Sequence, residues 1–269
     1  ETEAAQRLFD RFGITILKKS FREFGARARA IPNAVAAAEW ERWRWPVDLP
    51  EQALLSAVKI YLALRDDLAA DPDIVSAGIN CLNESRFSDT TPCLAWMMLY
   101  EEGRLIWGCE ADTLSMATQY VLNKSLDVPI MMTNLYPFLM SGPALKHERI
   151  PHFPDVSAYA DTNPENYVLV AHCGYFGLLP PSFATEWSAR PKVLAIVDEN
   201  AHAVDARFPT GPVTLAKLHP SLGALTAVEG TLEGYAQFPG SDCLNGGVIH
   251  VPDGHHLVRK ATSHHYLVT

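Results

Sequence analysis

The chain has 269 residues, with 22 Lys and Arg against 31 Asp and Glu, a formal net charge of -9, and 48% hydrophobic and 20% charged residues. That is the composition of an ordinary globular protein, long enough for one large domain or two modest ones. The acidic balance argues against general affinity for nucleic acid or an anionic membrane surface, because counterion release needs clustered Lys and Arg. Arg22, Arg27 and Arg29 stand close together, but Glu23 lies among them and the stretch reads as a solvated face.

Taken in order, Glu3 to Phe12 places Ala4, Leu8, Phe9 and Phe12 at helical spacing, and Gly13 then precedes the apolar run Ile14 to Leu17. Pro32 to Trp43 is alanine-rich and helix-forming. A longer helix is predicted from Pro50 to Ala70, with Asp48 as a candidate N-cap and a stripe of Leu54, Leu55, Val58, Tyr61, Leu62 and Leu64. Strand Ile74 to Asn80, a polar loop to Thr91, helix Pro92 to Tyr100, strand Leu105 to Cys109, helix Thr113 to Asn123 and strand Pro129 to Asn134 follow. This alternation predicts an α/β fold over residues 1–150, a Rossmann-like parallel sheet flanked by helices. The proline-rich stretch Pro143 to Pro164 reads as a crossing between domains. Beyond it, short runs at Tyr167 to Ala171, Lys192 to Val197, Val213 to Leu218, Ala224 to Glu229, Gly247 to Val251 and from Tyr266 onward predict a small C-terminal β-barrel-like domain over 151–269.

Cys81, Cys93, Cys109, Cys173 and Cys243 show no C-x-x-C spacing, which predicts reduced thiols in a cytoplasmic protein rather than a disulfide framework or a zinc site. No apolar run reaches the roughly 20 residues of a membrane span, and no signal peptide is visible. The chain opens at Glu1 and closes at Thr269 within an apolar run, and is expected to be a piece of a longer polypeptide.

The chemistry concentrates at strand ends. Glu84 in Cys81-Leu82-Asn83-Glu84-Ser85 and Asp112 in Cys109-Glu110-Ala111-Asp112 each follow a strand-like run, where open α/β sheets place their ligands. With one of His264 or His265 they form a candidate site for a divalent metal. Each has a plainer reading. Glu84 and Arg86 sit in a polar loop that solvent alone accounts for, and Asp112 stands where a helix N-cap belongs. Glu110 is expected to point away if the strand continues through it. His255-His256 and His264-His265 are adjacent pairs, of which a strand would turn only one member to a given site. His172, before Cys173-Gly174, belongs to the same class of strand-end histidine. No G-x-S-x-G, G-x-G-x-x-G or phosphate-binding glycine loop is present.

The order Gly78 to Asp89, Pro92-Cys93, Cys109-Glu110-Ala111-Asp112, His172-Cys173-Gly174, Gly211-Pro212-Val213-Thr214-Leu215 and His264-His265 resembles the L-fucose isomerase family, over most of residues 50–269. The likeness is greatest at Cys109 to Asp112 and at the final histidine pair. It implies a homo-oligomeric, manganese-dependent aldose–ketose isomerase working through an enediolate, with Glu84, Asp112 and His264 or His265 as metal ligands. Glu84 and Asp112 would then be the catalytic acid and base, in either assignment. Arg86, Trp96 and His172 would contact the sugar, although Trp96 also reads as core packing of its helix. In the family the first carboxylate lies within the next helix, where this chain has Leu94-Ala95-Trp96, so Glu84 would be a substitute. A lyase or epimerase on the same scaffold, or a non-catalytic sugar-binding or assembly module, are the rival readings.

Overall fold

The computed structural model describes residues 2–103, 105–137, 158–172, 178–191, 198–236 and 246–269. Its first part is mainly helical: α1 (Thr2–Phe12), α2 (Phe21–Ala30), α3 (Asn33–Trp43) and α4 (Glu51–Ala70). The hydroxyl of Ser20 accepts from the Glu23 amide and caps α2. Pro50, rather than Asp48, stands at the N-cap of α4, whose Leu55, Val58, Ile60, Tyr61 and Leu62 are buried. Burying that many large side chains is what holds a helix that propensity alone would leave marginal.

Next come β1 (Ser76–Ile79), the single turn α5 (Cys81–Glu84), α6 (Cys93–Glu101), β2 (Ile106–Cys109), α7 (Thr113–Leu126) and β3 (Met131–Pro137). Helix α6 is buried from Cys93 to Tyr100, so Trp96 is core and not a wall of an open site. Strands β1 and β2 pair in parallel, with Gly78 opposite Gly108 and Ile79 opposite Cys109. A Cβ at Gly78 would stand 2.8 Å from the Met116 sulfur, and one at Gly108 would overlap the same side chain. The missing Cβ atoms let α7 close down on the strand pair.

The expected parallel sheet flanked by helices is corrected here. Among the described residues the parallel sheet has two strands, and β3 belongs instead to a closed six-stranded antiparallel barrel ordered β10-β3-β4-β9-β8-β7. The other members are β4 (Tyr167–Ala171), β7 (Gly211–Leu218), β8 (Leu225–Ala236), β9 (Gly246–His250) and β10 (His265–Val268), while β5 (Glu186–Pro191) and β6 (His202–Arg207) form a separate antiparallel pair. The reason lies in pairing: β3 aligns Asn134 with His265 on one side and with Ala171 on the other. Closure through Leu267 and Ala216 then satisfies every strand edge of the barrel. The barrel thus takes a strand from before residue 150 and five from after it.

A final helix, α8 (Gly254–Lys260), precedes β10 and is capped by Asp253. One apolar core runs from α4 and α6 through β2 into barrel strands, including Tyr61, Trp107, Met131, Val168, Leu215, Ile249 and Leu267. Residues 138–157 of the expected crossing segment, the expected strand Lys192 to Val197, and Cys173, Gly174 and Cys243 lie outside the described residues. Among the described residues no helix is long and apolar enough to cross a membrane.

Candidate metal centre

Strand β2 ends at Cys109, and the chain turns at once. Glu110 and Ala111 both have positive φ, 53° and 54°, and the Asp112 amide donates to the Cys109 carbonyl at 3.1 Å. Positive φ at both central positions is the type I′ pattern, which usually takes Gly or Asn. Glu and Ala there cost roughly 1–2 kcal/mol each. Strain of this kind, held by its surroundings, concentrates where a side chain has to be aimed. The turn also breaks the strand alternation that would have sent Glu110 away.

Asp112 is the N-cap of α7, accepting from the Ser115 amide at 3.0 Å and from the Ser115 hydroxyl at 2.7 Å. Helix α7 packs on β7 and β10, and the Thr118 hydroxyl accepts the Leu218 amide at 3.2 Å. That docking brings Asp112 to the barrel. Its Oδ2 lies 2.8 Å from His265 Nδ1 and 3.3 Å from Lys217 Nζ, and Lys217 also meets the Ser115 hydroxyl. Burial pushes the Asp112 carboxyl up, but the His265 hydrogen bond, the Lys217 charge and the two Ser115 donors outweigh it. They hold the carboxyl far below the usual carboxylate range. Lys217 is wholly buried; burial pulls its ammonium below the ordinary lysine value, against the opposing pull of Asp112.

The ionised Asp112 carboxylate accepts from His265 Nδ1, which fixes the ring and turns Nε2 towards Glu110. Nε2 is buried, has no hydrogen-bond partner among the described residues, and faces Glu110 Oε2 at 3.6 Å. His264 Nε2 approaches the same oxygen at 3.8 Å. One ligand atom from each of Glu110, His264 and His265 falls within 4.8 Å of the others, a group that could hold a metal ion. A buried imidazole nitrogen lacking a donor, backed by a carboxylate on the opposite ring nitrogen, is the arrangement metal-ligating histidines adopt. His265 is 2% exposed and His264 63%, so the group runs from the core to solvent.

Both histidines reach the group because β10 begins only at His265; His264 precedes the strand and escapes its alternation. His172 stacks at 5.9 Å on His265 and meets the Trp107 ring edge-on at 6.4 Å. Burial first, and the neighbouring His265 next, lower the His264 pKa below its ordinary value.

The other expected site residues are placed differently. Asp112 backs His265 and is not in the three-residue group, and Glu84, at the end of α5, is not in it either. Arg86 lies over the Phe87 ring at 4.9 Å. Trp96 belongs to the core. Glu110 and Lys217 are the residues that sequence reasoning passed over. Lys217 sits within an apolar strand with no motif to mark it, whereas Glu110 stood beside Asp112 and needed only the turn to be recognised. Surface depressions of about 310 Å³ beside Lys19 and Arg27 and about 490 Å³ beside Thr214 and His250 share none of these side chains. No protein-family model and no curated protein matches the chain.

Proposed function

We propose that the protein is a divalent-metal-dependent enzyme whose ion is held by Glu110, His264 and His265, and that it interconverts an aldose and a ketose. The observation that carries the metal reading is His265 Nε2, buried and without a hydrogen-bond partner among the described residues while Asp112 holds the opposite nitrogen. One carboxylate and two imidazoles suit a first-row divalent ion such as manganese. When bound, such an ion supplies Lewis-acid polarisation of a carbonyl and its neighbouring hydroxyl.

The chain's own groups do the rest. Asp112 stays ionised and orients His265; Lys217 balances the Asp112 charge, and Ser115 fixes its rotamer. His264, the most exposed of the three, is held below the ordinary histidine pKa by burial and by His265, so it is neutral near pH 7 and its lone pair is available to a metal ion. Glu110, one-third exposed, supplies the one negative charge of the ligand set beside the two imidazoles. The choice of isomerisation rests on the resemblance of Cys109 to Asp112 and of His264-His265 to L-fucose isomerases. A cytoplasmic homo-oligomer is the assembly that resemblance implies.

The test is metal-dependent exchange of a sugar C–H proton with solvent deuterium, followed by product identification. Exchange with a ketose product supports the reading; a dehydrated or epimeric product reassigns the reaction, and binding without exchange makes the protein a sugar-binding module. Two imidazoles with one carboxylate also compose the ligand set of non-haem iron oxygenases. Iron-dependent consumption of dioxygen would favour that second reading.

A further inference from the structure

The thiols of Cys81 and Cys109 touch, with their sulfurs 3.4 Å apart and both residues within the core at 3% and 6% exposure. Their positions are not arbitrary. Cys109 is the last residue of β2 and the residue before Glu110. Cys81 opens α5, two residues past Ile79, the parallel partner of Cys109. The pair therefore bridges the two strand ends from which the site loops spring, and one of its members is bonded to the strained turn that aims Glu110.

We propose that Cys81 and Cys109 form a reversible disulfide under peroxide, and that this bond switches off the adjoining metal centre; the second half rests on the metal reading above. The chemistry balances with hydrogen peroxide as oxidant. One thiol becomes a sulfenic acid as the peroxide O–O bond breaks and one water leaves. The second sulfur then attacks the first, the S–O bond breaks, and a second water leaves. Two thiols lose two protons and two electrons, and peroxide becomes two waters. A dithiol reductant reverses the bond by exchange.

A disulfide needs its sulfurs about 2.05 Å apart, so the pair has to close by about 1.4 Å from its present contact. Strand β2 is buried along its whole length and α7 is docked behind it through Met116. The give therefore falls on the two exposed segments that follow the cysteines, α5 after Cys81 and the turn at Glu110 and Ala111 after Cys109. Ligand sites tolerate only about 0.5 Å of displacement, so a pull on this turn misaims the Glu110 carboxylate relative to His264 and His265. Burial slows the first oxidation, since the oxidant has to reach a thiol of low exposure. The switch would then answer to sustained oxidant and ignore brief exposure.

The experiment treats the metal-stripped, folded protein with hydrogen peroxide, quenches it, maps the cysteines by mass spectrometry and titrates with Mn²⁺. The expected result is a cross-linked peptide pair containing Cys81 and Cys109. Manganese affinity should fall about tenfold or more, as for a disturbed ligand shell, and should recover with dithiothreitol. Cys81→Ala should keep the affinity of the reduced protein and lose its sensitivity to peroxide. A pairing with Cys93, sulfinic acid at Cys109 alone, or thiols that stay reduced while the protein remains folded would overturn the thiol site. Cross-linking without change in affinity would overturn the switch. If the reduced protein binds no manganese, the metal reading fails, and the peptide map still decides whether the thiols pair.

Discussion

His202 should make the protein lose stability in mild acid by an amount that can be worked out. Its Nε2 accepts the backbone N–H of Leu94 at 3.1 Å, one of the first-turn amides of α6 that the helix cannot satisfy itself. Its Nδ1 lies 2.8 Å from the Thr90 hydroxyl, which donates in turn to the Asn200 carbonyl at 2.8 Å, so Nδ1 carries the proton and the ring is neutral. Protonating Nε2 would destroy the Leu94 bond and place a charge in the core. Burial accordingly lowers the His202 pKa from 6.5 to about 4. Between those values the unfolded chain binds a proton that the folded chain refuses. Stability is therefore full above about pH 6.5, falls with pH below it, and levels off once pH passes below about 4. At about 1.36 kcal/mol per unit, a shift of about 2.5 units removes about 3 kcal/mol. Urea unfolding followed by tryptophan fluorescence, in wild type and His202→Gln between about pH 7 and pH 4, isolates this group from other titrations. The wild-type advantage over the variant should shrink by about 3 kcal/mol across that range. Parallel curves, or a His202 titration by NMR near the ordinary histidine value, would refute the reasoning.

Asp112→Asn should destabilise the fold by about 3 kcal/mol, because it leaves the Lys217 ammonium buried without its counter-charge, and should weaken metal affinity about 10- to 100-fold through His265; denaturant unfolding and metal titration read the two effects separately. Glu84→Gln should leave metal affinity within about twofold, since among the described residues Glu84 is neither one of the three ligands nor, like Asp112, hydrogen-bonded to one. Gly246→Ala should destabilise by about 2 kcal/mol in the same unfolding assay, because a Cβ there would overlap the Val170 carbonyl and stand 2.8 Å from Ala171 Cβ.

The helices were legible wherever an apolar stripe was long, as in α4, or where the N-cap was explicit, as at Asp112 before α7. Helix α2 was not, because Gly25 and alternating arginines hide its buried face of Phe24, Gly25 and Ala28. Strands β4, β7, β9 and β10 also stood out as short apolar runs. What such a run does not carry is its partner. Strand β3 looks the same from sequence whether it extends a parallel sheet or pairs antiparallel with β10, more than a hundred residues away. The β5–β6 pair escaped notice because Glu186 to Pro191 is largely polar and ends on a proline. At the site, the stretches that the structure brings together, Cys109 to Asp112 and His264-His265, were both visible in the sequence. The roles of Glu110 and Asp112 depended on two positive φ angles and on the docking of α7 against β10, and neither leaves a composition signal.

Calorimetric titration of Mn²⁺ into the reduced, metal-stripped protein tests the central claim most directly, with Glu110→Gln and His265→Ala alongside. One saturable site per chain is expected in the wild type, with affinity falling about 100-fold or more when either ligand is removed. Absence of binding by the wild type, or undiminished binding by Glu110→Gln, would contradict the assignment of Glu110, His264 and His265 as the metal centre.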